Sequence, residues 1–141
     1  MANALYDLGR EAFGNAEIDW EDDDIIAILV DTDDYTVNLA THQYLSSIAS
    51  GARVAGGSLG TKVSLASKTN TAGVMDAADT TFTSVIGDQW EALVLCKRDT
   101  STFENSLLIA YIDTFTDAPE APTGGDVVVH WADTSNKIFK L

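Results

Sequence analysis

The sequence predicts a mainly β protein, a β-sandwich or jelly-roll-like barrel with a short N-terminal helix and one further short helix. Three observations carry this prediction. Short apolar runs recur along nearly the whole chain, they are rich in Val, Ile and aromatic residues, and most are closed by Asp-Thr or glycine.

The elements follow in order. Leu5, Leu8, Ala12 and Phe13 recur at three to four residues with Asp7, Arg10 and Glu11 between them, and Gly14-Asn15 supplies a stop, so a helix is expected over about 4–14. A β domain from about 18 to 141 completes a single-domain chain. Its first strand is "DIIAILVD" at 24–31. In "THQYLSSIASG", at 41–51, Thr41 can cap, Tyr44, Leu45 and Ile48 share a face, and Gly51 ends the second helix. Strands are then expected in "ARVAG" at 52–56, "TKVSLAS" at 61–67, "TTFTSVI" at 80–86, "WEALVLCK" at 90–97, "LLIAYID" at 107–113, "DVVVHW" at 126–131 and the closing "KIFKL". Runs such as "ALVLC" and "LLIAYI" are apolar on both faces, which suits central strands covered on each side. The closures "VDTDD", "RDTST", "IDTFTD" and "ADTSN" place Asp and Thr where their side chains can bond to nearby amides, so they read as strand ends rather than a solenoid repeat. "TDAPEAPTGGD" at 116–126 holds both prolines and reads as a surface loop.

Composition narrows the function classes. A chain of 141 residues can build one core, burying roughly two thirds of its unfolded surface. Its 22 acidic residues against 8 basic give a net charge of −14, which repels a phosphate backbone, and no Lys/Arg cluster reverses that locally. Direct nucleic-acid binding is disfavoured. No apolar run approaches the ~20 residues that span a bilayer, and the opening "MANALYDLGREAFG" lacks the pattern of a signal peptide, so synthesis inside the cell without membrane insertion is expected. Cys96 is the only cysteine and lies within "ALVLC", the setting of a core hydrophobe.

The candidate sites are weak. Two acid clusters flank the first strand, but at about 3.3 Å per residue Asp24 and Asp31 stand roughly 23 Å apart along it. Neither cluster has EF-hand spacing, although one end could hold Ca²⁺ or Mg²⁺ loosely. His42 and His130 have no ligand partner at local spacing, and alternation puts His130 opposite Val127, Val129 and Trp131. No GxSxG elbow accompanies the abundant Ser and Asp, and the glycines of "GARVAGGSLG" and "TGGD" fit turns better than a phosphate cradle. Trp20, Trp90 and Trp131 suit core or subunit contacts, with a carbohydrate platform as the minority alternative. No catalytic, cofactor-binding or metal-binding residue is assigned, and no cofactor is expected.

Beyond composition, "DDIIAILVDTDDYTVNLATHQYLSSIASGARVA", "AADTTFTSV", "EALVLCKRDTSTFENSLLIAYID" and "GGDVVVHWADTSNKIFKL" together resemble a family of small virion structural proteins of tailed bacteriophages. The family pattern runs from an N-terminal helix and an I-x-x-x-L-V-D strand through A-L-V…K-D-T and L-I-A-Y-I-D strands to W…I-F-K-L. Here Arg98 intervenes between Lys97 and Asp99-Thr100, and 56–79 looks like the variable part. The resemblance implies a non-enzymatic particle component, foremost a decoration or cement protein that binds and stabilises the capsid exterior. A tail or other virion accessory protein is the alternative, and a carbohydrate-binding module a weaker one. It further implies synthesis in the host bacterial cytoplasm, the major capsid protein as partner, and self-association, with a trimer favoured. Leu5, Leu8 and Phe13 near the N-terminus and Ile138, Phe139 and Leu141 at the C-terminus are the candidate docking or oligomer contacts. The competing view is that both segments close the core.

Overall fold

The computed structural model describes residues 3–54, 62–115 and 120–141. Its order is β1 (Ala4–Leu5), α1 (Asp7–Gly14), β2 (Ile25–Val30), β3 (Val63–Ser64), β4 (Thr69–Thr71), β5 (Val74–Asp76), β6 (Thr80–Phe82), β7 (Ala92–Lys97), β8 (Leu107–Ile112), β9 (Val127–Val129) and β10 (Phe139–Lys140). The protein is mainly β, as the alternating and doubly apolar runs require. All pairing is antiparallel, in a five-stranded sheet ordered β1-β8-β7-β2-β3, a three-stranded sheet β10-β5-β4 and a pair β6-β9. Among the described residues no sheet closes into a barrel.

Every residue of β2 is buried, and its side chains divide by parity. Ile25, Ala27 and Leu29 join Leu93, Leu95 and Ile109 in a large core with Trp20, Phe82, Trp90, Val127, Val129 and Trp131, so the two smaller sheets cover that face. Ile26, Ile28 and Val30 join Val94, Cys96 and Leu108 in a second core under Tyr6, Tyr35, Leu45 and Ile48, where the 35–54 segment forms the lid. The double apolarity of these strands is thus explained by cover on both sides.

One irregularity positions the N-terminal segment. The register moves from Leu95↔Ala110 to Cys96↔Leu108, leaving Ile109 as an extra residue on β8, and Ile109 and Ala110 consequently fall in the same core. Tyr6 N–H donates to the freed Ile109 carbonyl at 3.0 Å, and α1 then lies against the β8 edge. Gly9 makes the approach possible, because a Cβ there would stand 2.6 Å from the Leu108 carbonyl oxygen.

Four expectations change in detail. The helix over 4–14 loses its first turn to β1, whose two residues pair with β8. The segment 41–51 turns as short 3₁₀ helices at Leu45–Ser47 and Ser50–Ala52 rather than as one amphipathic helix, because Leu45 N–H is drawn to the Ser106 carbonyl at 2.9 Å. In 52–56 only a single bridge forms, Val30↔Arg53, and residues 55–56 lie outside the described residues, as do 61 of the strand expected at 61–67 and 116–119 of the loop. The β4–β5 hairpin falls in the stretch read as variable. Its two-residue loop, Ala72-Gly73, has φ of 54° and 82°, the left-handed geometry that suits a hairpin's twist, and Asn70 Oδ1 accepts from Gly73 N–H at 3.1 Å.

Candidate functional site

The acid clusters at the two ends of β2 differ in how their charge is met. At the first end, Asp19 Oδ1 accepts from the amides of Glu21 and Asp22, both at 3.1 Å, and Asp23 accepts from Asp19 N–H at 2.7 Å. Lys97 reaches Asp23 at 3.3 Å and Arg98 reaches Asp24 at 3.4 Å. These acids therefore shape and neutralise a turn. At the second end, one carboxylate oxygen from each of Asp31, Asp34 and Asp88 lies within 4.8 Å of the others. Asp31 is buried, and its Oδ1 already accepts from Asp33 N–H at 2.9 Å. Oxygen ligands of this kind suit a hard cation, but three carboxylates fall short of the six to eight oxygens Ca²⁺ takes. Asp88 escaped local reading because it comes from another segment. It was still implied by topology, since the antiparallel pairing of Val30 with Ala92 sets 31–34 beside the residues that precede β7.

Both imidazoles are hydrogen-bonded. His42 Nδ1 shares a 2.7 Å hydrogen bond with Tyr35 Oη, which meets Tyr6 Oη at 3.0 Å, forming a buried chain that ties the lid to β1 and α1. Burial raises both tyrosine pKa values, so the hydroxyls stay protonated and act as hydrogen-bonding groups. His130 projects outward, as alternation requires, and pairs with Asp79 at 2.7 Å. That hydrogen bond, with a second from Trp131 N–H at 3.1 Å, holds the Asp79 carboxyl below its usual range. Among the described residues no Ser or Thr hydroxyl bonds to either imidazole, so the acid–imidazole pair lacks the third member of a nucleophilic triad. Cys96 is wholly buried, and burial pushes its thiol up to about 12, far from thiolate reactivity at neutral pH.

All three tryptophans are core residues, with exposures of 2, 2 and 9% for Trp20, Trp90 and Trp131, which leaves no ring face for stacking a sugar. A cleft of about 520 Å³ runs beside β9 between Trp90, Phe115, Glu120 and His130. Among the described residues its walls carry two acids, Glu120 and Asp126, and no Ser, Thr or Cys.

The segments proposed from sequence as docking contacts prove to be neighbours. Leu5 and Ile138 are buried in the same core, Phe13 and Phe139 stack edge-on at 6.2 Å, and Phe139 meets Trp20 at 5.3 Å. Leu8 is half-buried, and Leu141 is 50% exposed. Leu5 and Ile138 thus close the core, whereas Leu141 presents apolar surface to solvent. Between them, β1 and β10 leave a cleft of about 390 Å³ lined in part by Leu5, Ile112, Ile138, Phe139 and the cations Arg10, Lys137 and Lys140. Sequence reading missed this gathering of cations, because residues 10 and 137–140 are remote along the chain.

No protein-family model matches the chain, and no curated protein matches it.

Proposed function

We propose that the protein is a non-enzymatic structural component of a tailed-bacteriophage particle, a decoration or cement protein that binds the capsid exterior, partners with the major capsid protein and itself, and stabilises the shell. The observation that carries this reading is how the reactive side chains are spent. The thiol is core, one imidazole braces the lid, the other pairs with Asp79 at the surface with no Ser or Thr hydroxyl bonded to it among the described residues, and the tryptophans fill the interior. A doubly covered sheet with short edges and a strongly acidic surface supports this reading, since a particle component must stay folded and soluble at high copy number before it docks. The particle itself is inferred from the resemblance of the sequence to tailed-bacteriophage virion proteins. Stabilisation then follows by mass action: a ligand that binds only the assembled shell raises the free energy of taking it apart.

The test is location. Mass spectrometry of purified particles, with imaging of particles labelled by an antibody to this protein, should place it on the shell. Label confined to the tail would move the protein to a tail role, and its absence from particles would refute the proposal.

A further inference from the structure

We infer that the free edge of β9 is a docking site for an extended, Lys- or Arg-bearing segment of another protein, which adds to it as a strand. The backbone carries the first part of the argument. β9 pairs with β6 on one side only, and among the described residues Val127, Val128 and Val129 make no backbone hydrogen bond outside that pair. Val127 and Val129 are buried and Val128 is exposed, yet all three, with Asp126 and His130, line the one cleft of about 520 Å³. Consecutive residues whose side chains leave alternate faces share a cleft through the edge of their strand. Unpaired N–H and C=O groups along such an edge are what an added strand bonds to.

Side chains name the occupant. Among the described residues Glu120 and Asp126 line the cleft, no Lys or Arg does, and neither carboxylate pairs with a cation. An incoming Lys or Arg therefore meets two unneutralised acids. A second copy of this chain is disfavoured on the same ground, because with a net charge of −14 it brings further carboxylates to those already present. Acids beside a short edge keep like-charged copies off it and leave it open to a strand of opposite charge. Apolar contact comes from the exposed Val128 and from Phe115, whose ring meets Trp90 edge-on at 5.4 Å. Val85 bonds to the backbone of Gly124 and Gly125 just before β9, which sets the exposed Ile86 by the start of the same edge. The complementary segment thus alternates Lys or Arg with β-branched residues. The inference goes beyond the particle reading and does not rest on it.

NMR titration of the isotope-labelled full chain with the peptide acetyl-Lys-Val-Lys-Val-Lys-Val-amide tests it. Saturable shifts are expected at the amides of Val127, Val128, Val129 and His130. N-methylation of either the valines or the lysines of the peptide blocks one of its two edges, so one methylated peptide should bind roughly tenfold or more weakly and the other nearly as well as the parent. Glu120→Gln/Asp126→Asn, which keeps an acceptor for the Ser84 N–H, should weaken binding roughly three- to tenfold. Glu11→Gln/Asp22→Asn makes the same change in net charge away from the cleft and should leave affinity nearly unchanged. No saturable shift, shifts centred elsewhere, an equal effect of the two methylated peptides, or equal loss in both double variants would overturn the inference. Shifts of the same amides on concentrating the protein alone would give the edge to a second copy and overturn it as well.

Discussion

The two faces of the five-stranded sheet are closed by different chemistry. On the face with Trp20, Phe82 and Trp131, two small sheets supply a conventional apolar cover. On the other, the 35–54 lid has little regular structure, and polar groups fix it. Arg53, whose side chain is 3% exposed, donates to the Ile48 carbonyl at 3.0 and 2.6 Å and the Leu45 carbonyl at 3.0 Å, and forks onto Glu104 at 2.8 and 2.7 Å. One guanidinium thus satisfies the Ile48 carbonyl at the end of the first 3₁₀ turn, adds a second donor to the Leu45 carbonyl that already accepts from Ile48 N–H, and ties the lid to the loop before β8. An irregular layer can cover a sheet when its backbone groups find side-chain partners.

The comparison can be broken from the polar side first. Arg53→Ala should destabilise by about 3–5 kcal/mol, because it removes a long buried side chain and leaves the Ile48 carbonyl without its donor, while the half-exposed Glu104 regains water, with urea-induced unfolding as the measurement. A loss below about 1 kcal/mol would mean that the lid is held by its apolar contacts alone. On the apolar face, Leu93→Ala should cost about 2–5 kcal/mol through the cavity it leaves. Gly9→Ala should cost about 1–3 kcal/mol, because α1 must back away from the β8 carbonyl. The smallest of these effects is expected for Tyr35→Phe, which cuts the Tyr6–Tyr35–His42 chain and should cost about 1–2 kcal/mol.

Acid sharpens the same contrast. The Arg53 hydrogen bond holds the Glu104 carboxyl below its ordinary 4.5, so its contribution is present above the unfolded value and is lost as pH falls through the folded one. Stability measured by urea unfolding from neutral pH downward should fall through that window, and Glu104→Gln should flatten the slope there. An unchanged slope would show that Glu104 is not coupled to the lid.

Much of the sheet was legible because β2, β7 and β8 are apolar on both faces, and that pattern survives any choice of topology. The lid was not. "THQYLSSIASG" has helical spacing, but the pull of Ser106 on Leu45 and of Arg53 on two carbonyls is long-range and invisible to a local window. The β4–β5 hairpin was hidden by its loop, where Ala72 takes the left-handed position usually held by Asn or Asp. For the candidate site, the two terminal segments were singled out by their apolar residues. Their meeting, and the cations it collects, required the bulge at Ile109 and the pairing of β10 with β5. Asp88 joined Asp31 and Asp34 for the same kind of reason, through the β2–β7 register.

The claim that this architecture works by holding other subunits together is tested most directly by calorimetry of capsids purified without the protein and then saturated with it. The account predicts saturable binding and a higher disruption temperature. Saturable binding with an unchanged disruption temperature would contradict it.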